Sequence, residues 1–229
     1  MEVWFAIPSA NFARATKCFA AWKAMGYKTA VLIDKGKPAP GNVDLVLEAD
    51  PWPGYCKSFI RLCQAIGDAD IIVTGGDDIT PDFKKKAEEI AEECFEKYPD
   101  GFFVMQPTGD DMGTRYKICA SPWVGKGWIK RAYQGKGPVW PGYAVFYGDE
   151  ELKDVSSLRG VLWQRGDLLQ FHDHYSRPDG PKKLDYQVKN DQYWIQDGIL
   201  FNSRKAAGFP GHEPIGDFDK HAQEEVKAN

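Results

Sequence analysis

Short apolar runs alternate with amphipathic stretches through the first half of the chain. "VWFAIP" (residues 3–8) ends in Pro and reads as a strand entering a loop. "ANFARATKCFAAWKAMG" repeats Phe12, Ala15, Phe19, Trp22 and Met25 at helical spacing, and Gly26 stops it. "YKTAVLID" (27–34) and "VDLVLE" (43–48) read as second and third strands, and a helix follows carrying Tyr55, Phe59, Leu62, Cys63 and Ile66 inward. "ADIIVTG" is continuous in its apolar residues, as expected of a strand covered on both sheet faces. "TPDFKKKAEEIAEECFEKYPD" reads as a charged amphipathic helix opened by a Thr-Pro-Asp cap. Such alternation predicts an α/β fold with a doubly wound, mostly parallel sheet flanked by helices. Ligands of such sheets bind beyond the carboxyl ends of the strands, where Pro8-Ser9, Asp34 and Asp77-Asp78 all fall.

The second half is less regular. "FFVMQPTGDDMG" predicts a strand into a loop, and a Gly-, Pro- and Trp-rich stretch carries a short helix around 127–134. "DEELKDVSSLRGVLW" reads as helix, "LLQFHDHYSRPDG" as strand then loop, and a further helix holds Tyr193, Trp194, Ile199 and Leu200. The final residues look like a polar tail.

With 229 residues, 43% of them hydrophobic, the chain can bury a large core. It shows neither a membrane-spanning run nor a signal-peptide pattern at its start. Five scattered cysteines without C-x-x-C spacing suggest reduced thiols and a cytoplasmic setting. The net charge of −4 does not announce a nucleic-acid binder. Yet no acidic residue lies between Asp111 and Asp149, a stretch that holds Trp123, Lys126, Trp128, Lys130, Arg131, Tyr133, Lys136, Trp140 and Tyr143. Interleaved cations and aromatics suit an anionic acceptor. The alternative is that the aromatics are core and the lysines solvated; the lack of any acid favours the anionic ligand.

Asp77 and Asp78 follow a Gly-Gly pair at a strand end, where carboxylates can hold a divalent cation while the glycines admit a diphosphate. The alternative is a helix cap, with Asp78 or Thr80 satisfying the first amides of a helix starting near Pro81. Asp34 either accepts hydrogen bonds from a base or ribose or merely opens a turn before Gly36. His172 and His174 share a face if extended and could complete a metal's coordination, or lie exposed at a strand end. Asp149 and Glu150 stand at a helix start, favoured there by the dipole or serving as general base. There is no G-x-G-x-x-G, Walker A loop or H-E-x-x-H.

Taken in order, "PGYCKSFIRL", "TGGDDITPD", "SPWVGKGW", "DEEL" and "FHDHY" resemble the GT-A glycosyltransferases, especially short inverting family 2-like enzymes of bacteriophages that modify DNA. The resemblance implies a GT-A-like, Rossmann-like domain with a C-terminal acceptor-side region. Residues 1–110 would bind the nucleotide sugar, 111–212 the acceptor, and 213–229 would form the tail. By that resemblance Pro8, Ser9, Asp34, Tyr55, Lys57, Ser58, Gly76 and Asp77 hold the donor. Asp78, alongside Asp77, and His172 or His174 hold Mn²⁺ or Mg²⁺. Aligned on the family's D-x-D motif, however, the first acid is replaced by Gly76. Asp149 or Glu150 would be the base, and Trp123, Lys126, Trp128, Lys130, Arg131 and Trp140 the acceptor surface. The expected donor is UDP-glucose. The acceptor suggested is a hydroxymethylated pyrimidine in phage DNA, with protein, glycan and small molecules nearly as compatible. A metal-dependent phosphohydrolase or nuclease and a non-catalytic nucleotide-binding module are the rival readings.

Overall fold

The computed structural model describes residues 1–111, 115 and 117–216. Residues 112–114, 116 and 217–229, which include most of the expected tail, lie outside them. In chain order the elements are β1 (Val3–Pro8), α1 (Phe12–Ala24), β2 (Lys28–Asp34), β3 (Leu45–Ala49), α2 (Tyr55–Ile66), β4 (Ile71–Val73), β5 (Ile79–Thr80), α3 (Ala87–Lys97) and β6 (Val104–Pro107). They continue with β7 (Trp123–Gly125), α4 (Lys126–Arg131), α5 (Gly148–Leu158), β8 (Leu162–Arg165), β9 (Phe171–His172), α6 (Asp185–Asn190) and α7 (Trp194–Ala206).

Seven strands form one sheet in the order β3-β2-β1-β4-β7-β6-β8. Strand β7 alone runs antiparallel, to both its neighbours, and β6 and β8 are parallel to each other. The sheet is therefore mostly parallel, as the alternation predicts, and takes strands from both sides of residue 110. Apolar clusters cover both faces, which explains why β1, β2 and β4 are buried along nearly their whole length. On one face Phe5 of β1 stacks on Trp22 of α1, ring centroids 3.9 Å apart. On the other, α2 and α5 pack Phe59, Leu62, Leu152 and Val155 against the strands. Burying side chains of this size stabilises the fold by roughly 1.5–3 kcal/mol each. All five cysteines are buried thiols. Among the described residues no helix is long and apolar enough to cross a membrane.

Two departures from the sequence pattern bear on the site. The helix expected from Pro81 starts at Ala87, where Glu89 accepts the Lys86 amide at 2.7 Å. Neither Asp78 nor Thr80 caps it. Instead Ile79 and Thr80 pair antiparallel with His172 and Phe171, forming a two-stranded ribbon outside the main sheet. Likewise "GVLW" is not the end of a helix: α5 stops at Leu158, and β8 begins at Leu162.

Candidate active site

The carboxyl edge of β1, β2 and β4 borders a cavity of about 550 Å³. It is lined by Pro8, Ser9, Asp34, Trp52, Tyr55, Gly75 to Asp78, Asp149, His172 and His174. Phe146, Tyr175, Tyr186, Lys189 and Tyr193 also line it.

Local chemistry explains how each group arrives there. Asn11 caps α1 by accepting the Arg14 amide at 3.1 Å, and its own amide donates to Ser9 Oγ at 3.1 Å. Ser9 Oγ in turn donates to Asp77 Oδ2 at 2.7 Å. After β4, Thr74 Oγ1 donates to Ala6 O at 2.8 Å, tying the strand end back to β1. Tyr55, at the start of α2, donates to Gly75 O at 3.1 Å. The glycines make room for neighbouring side chains: a Cβ on Gly75 would stand 2.6 Å from Ile79 Cδ1, and one on Gly76 2.2 Å from Asp78 Oδ1, so that those side chains would have to move. Where the D-x-D pattern has its first acid, this chain folds the Asp78 side chain back into that space.

Asp78 Oδ1 faces His172 Nε2 at 3.3 Å, and Asp78 Oδ2 lies 3.0 Å from Arg14 Nη2. Arg14 Nε also stands 3.3 Å from Asp77 Oδ1. The ribbon holds this register: Asp173 N donates to Asp78 O at 2.8 Å, and Asp110 accepts the His172 amide at 3.0 Å while binding Arg177 at 2.8 Å. Burial raises the pKa of Asp77, with the neighbouring charge of Asp78 adding to it against the pull of Ser9 and Arg14. Burial also works against charge on Asp78, but His172 and Arg14 outweigh it and its pKa is lowered. Asp78 is thus the better-stabilised anion of the pair. His172 Nδ1 is buried and has no hydrogen-bond partner. Burial, aided by the charge of His172, lowers the pKa of His174 to about 4, so its ring is neutral at ordinary pH.

A further carboxylate, Asp149, enters from the first turn of α5. Burial raises its pKa. The adjacent Glu150 does not line the cavity; burial, with the charge of Asp149, pushes its pKa up to about 7. The loop before α5 is held by Asp197 of α7, which is fully buried and accepts the amides of Ala144, Val145 and Phe146 at 3.0, 2.8 and 2.9 Å. Glu151, also fully buried, binds Arg204 of α7 through both oxygens and accepts from Tyr143.

Other expected residues lie elsewhere. Lys57 is exposed and Ser58 is buried, its hydroxyl donating to Gly54 O at 2.6 Å; neither lines the cavity. Trp123 and Trp128 are fully buried in the core, so they cannot stack on an acceptor. Lys126, Lys130 and Arg131 pair with Asp70, Asp68 and Asp100. Asp70 precedes β4, so this basic island faces the amino edge of the strand, away from the cleft. Trp140 lies under Arg204, 3.6 Å from its ring centroid, and is also outside the cavity. Sequence reasoning missed Arg14, Trp52, Tyr186, Lys189 and Asp197. Arg14 alone had a local signal, its place just past a helix cap at the carboxyl end of a parallel strand.

No protein-family model matches the sequence, nor does any curated protein. Among solved structures the chain is similar to A197 from STIV, at a TM-score of 0.49 and 11% identity over 75% of this chain and 85% of that one.

Proposed function

We propose that the chain is a glycosyltransferase of GT-A type that moves a sugar from a nucleotide-sugar donor to an acceptor hydroxyl with inversion. The observation that supports it is one cavity at the carboxyl edge holding both the facing Asp78–His172 pair and the buried Asp149.

The pair suits a divalent cation. Neighbouring ligands of an octahedral Mg²⁺-type ion at about 2.1 Å lie about 3 Å apart, close to the 3.3 Å between Asp78 Oδ1 and His172 Nε2. Among the described residues no group of three His, Cys, Asp or Glu is placed to hold a metal. The remaining positions would therefore fall to the donor's diphosphate and water, the usual arrangement for Mg²⁺. When bound, Mn²⁺ or Mg²⁺ neutralises charge on the departing diphosphate.

The residues of the chain do the rest. Asp34 and the Pro8-Ser9 turn border the space for the nucleoside, with Trp52 offering an aromatic face. Gly75 and Gly76 line the same cavity, on the side where the diphosphate would lie. Asp149 takes the proton from the acceptor hydroxyl as it attacks the anomeric carbon. Its raised pKa makes it a stronger base than an exposed carboxylate. Tyr175, Tyr186 and Tyr193 offer faces on which a sugar or base can stack.

The test is thermal stabilisation by UDP, UDP-glucose and GDP, with and without Mn²⁺, followed by product detection. Stabilisation by UDP with Mn²⁺ and release of UDP from UDP-glucose support the proposal. Hydrolysis of phosphoesters without need of a sugar nucleotide would replace it by a phosphohydrolase, and binding without turnover by a nucleotide-binding module. Activity on DNA bearing hydroxymethylated pyrimidines that falls steeply with salt would identify that acceptor.

A further inference from the structure

The four oxygens of Asp77 and Asp78 are unequally used. Ser9 donates to one oxygen of Asp77 at 2.7 Å, Arg14 lies 3.3 Å from the other, and the Tyr186 hydroxyl also hydrogen-bonds this carboxylate. Arg14 also lies 3.0 Å from Asp78 Oδ2. Only Asp78 Oδ1 faces the cavity partner His172. The acid side chains are 4% and 7% exposed, so their charges repel at close quarters with little water between them. Arg14, itself only 25% exposed, supplies a positive charge to both. The guanidinium thus offsets one of the two negative charges that adjacent carboxylates present. A free divalent ion approaching Oδ1 meets a weakened attraction and a guanidinium on the far side of the same carboxylate.

We infer that Arg14 is the built-in counter-charge of the Asp77–Asp78 pair and that it sets the order of binding. A divalent cation is held there only together with the donor's diphosphate. The inference rests on the glycosyltransferase reading of the cleft. The diphosphate brings the missing negative charge and the missing ligands at once, so the ion and the donor enter as one unit. Arg14 is a positioning residue in this account: it fixes the Asp78 carboxylate through Oδ2 and leaves Oδ1 toward His172.

The experiment is calorimetric titration of MnCl₂ into the full chain, without and with UDP, for wild type, Arg14→Gln and Arg14→Lys. Wild type should take up Mn²⁺ measurably only with UDP. Arg14→Gln should bind Mn²⁺ alone about 10-fold or more tightly than wild type, and Arg14→Lys, which keeps the charge, should behave as wild type. No gain in Arg14→Gln overturns the inference, as does an equal gain in Arg14→Lys. If Arg14→Gln is unfolded by circular dichroism, wild type decides: equal Mn²⁺ affinity with and without UDP overturns it. The UDP arm reports separately on the cleft. A wild type that ignores UDP removes the glycosyltransferase reading, while the comparison on Mn²⁺ alone still decides the role of Arg14.

Discussion

Asp78 Oδ1 and His172 Nε2 face each other at 3.3 Å because the β5–β9 ribbon pairs Ile79 with His172. Gly76 leaves room for that carboxylate: a Cβ there would stand 2.2 Å from the same oxygen. Gly76→Ala should therefore displace Asp78 without unfolding the sheet. Misplacement of this kind costs about 10²-fold in transfer rate. Steady-state kinetics beside a melting curve checks it: unchanged kinetics would show that Asp78 need not sit where it does.

Asp149 and Glu150 are neighbours with different places, one lining the cavity and the other outside it. Asp149→Asn should lower kcat by about 10²–10⁴-fold, the range for losing a general base, while KM for the nucleotide sugar stays near wild type. Glu150→Gln should retain most activity. The reverse ranking would transfer the role of base to Glu150.

Glu150 carries a signature in stability instead. Burial raises its pKa from the usual 4.5 to about 7 in the folded chain. Between those values the folded chain keeps a proton that the unfolded chain has released. The stability this gives is complete below pH 4.5 and is lost as pH rises through about 7. Tm of wild type should fall relative to Glu150→Gln from about pH 5 to about pH 8. Parallel pH profiles would show that Glu150 titrates normally.

The Glu151–Arg204 pair joins α5 to α7 at 2.7 and 2.8 Å with both side chains nearly or wholly buried. Removing one partner leaves the other charged and buried. Glu151→Gln or Arg204→Met should each destabilise by about 3–5 kcal/mol, read from denaturant unfolding. A loss below about 1 kcal/mol would place the pair in the class of exposed ion pairs.

The parallel half of the fold was legible because β1 and β4 are apolar throughout, β2 has an apolar centre, and α1 to α3 have clear amphipathic spacing. Asp34, Asp77 and Asp78 could be placed on one edge by the same logic. The ribbon was not legible: Ile79-Thr80 is too short to show a period, and the Thr-Pro-Asp that follows imitates a helix cap. Trp123 and Trp128 looked like a surface for stacking because composition does not reveal burial: β7 carries Trp123 into the middle of the sheet, and α4 packs Trp128 against Phe102 and Tyr133. The basic residues beside them are neutralised by Asp68, Asp70 and Asp100, partners distant in sequence. Asp197 and Glu151 are buried acids with long-range partners, and no local pattern marks such residues.

We propose above all that Asp78 anchors a metal–diphosphate in this cleft. The most direct test is Mn²⁺-dependent release of UDP from UDP-glucose by wild type and by Asp78→Asn, each shown folded by circular dichroism. Wild type should release UDP only with Mn²⁺ or Mg²⁺, and Asp78→Asn should lose about 10²-fold or more of that rate. Equal, metal-dependent release by both proteins would contradict the account.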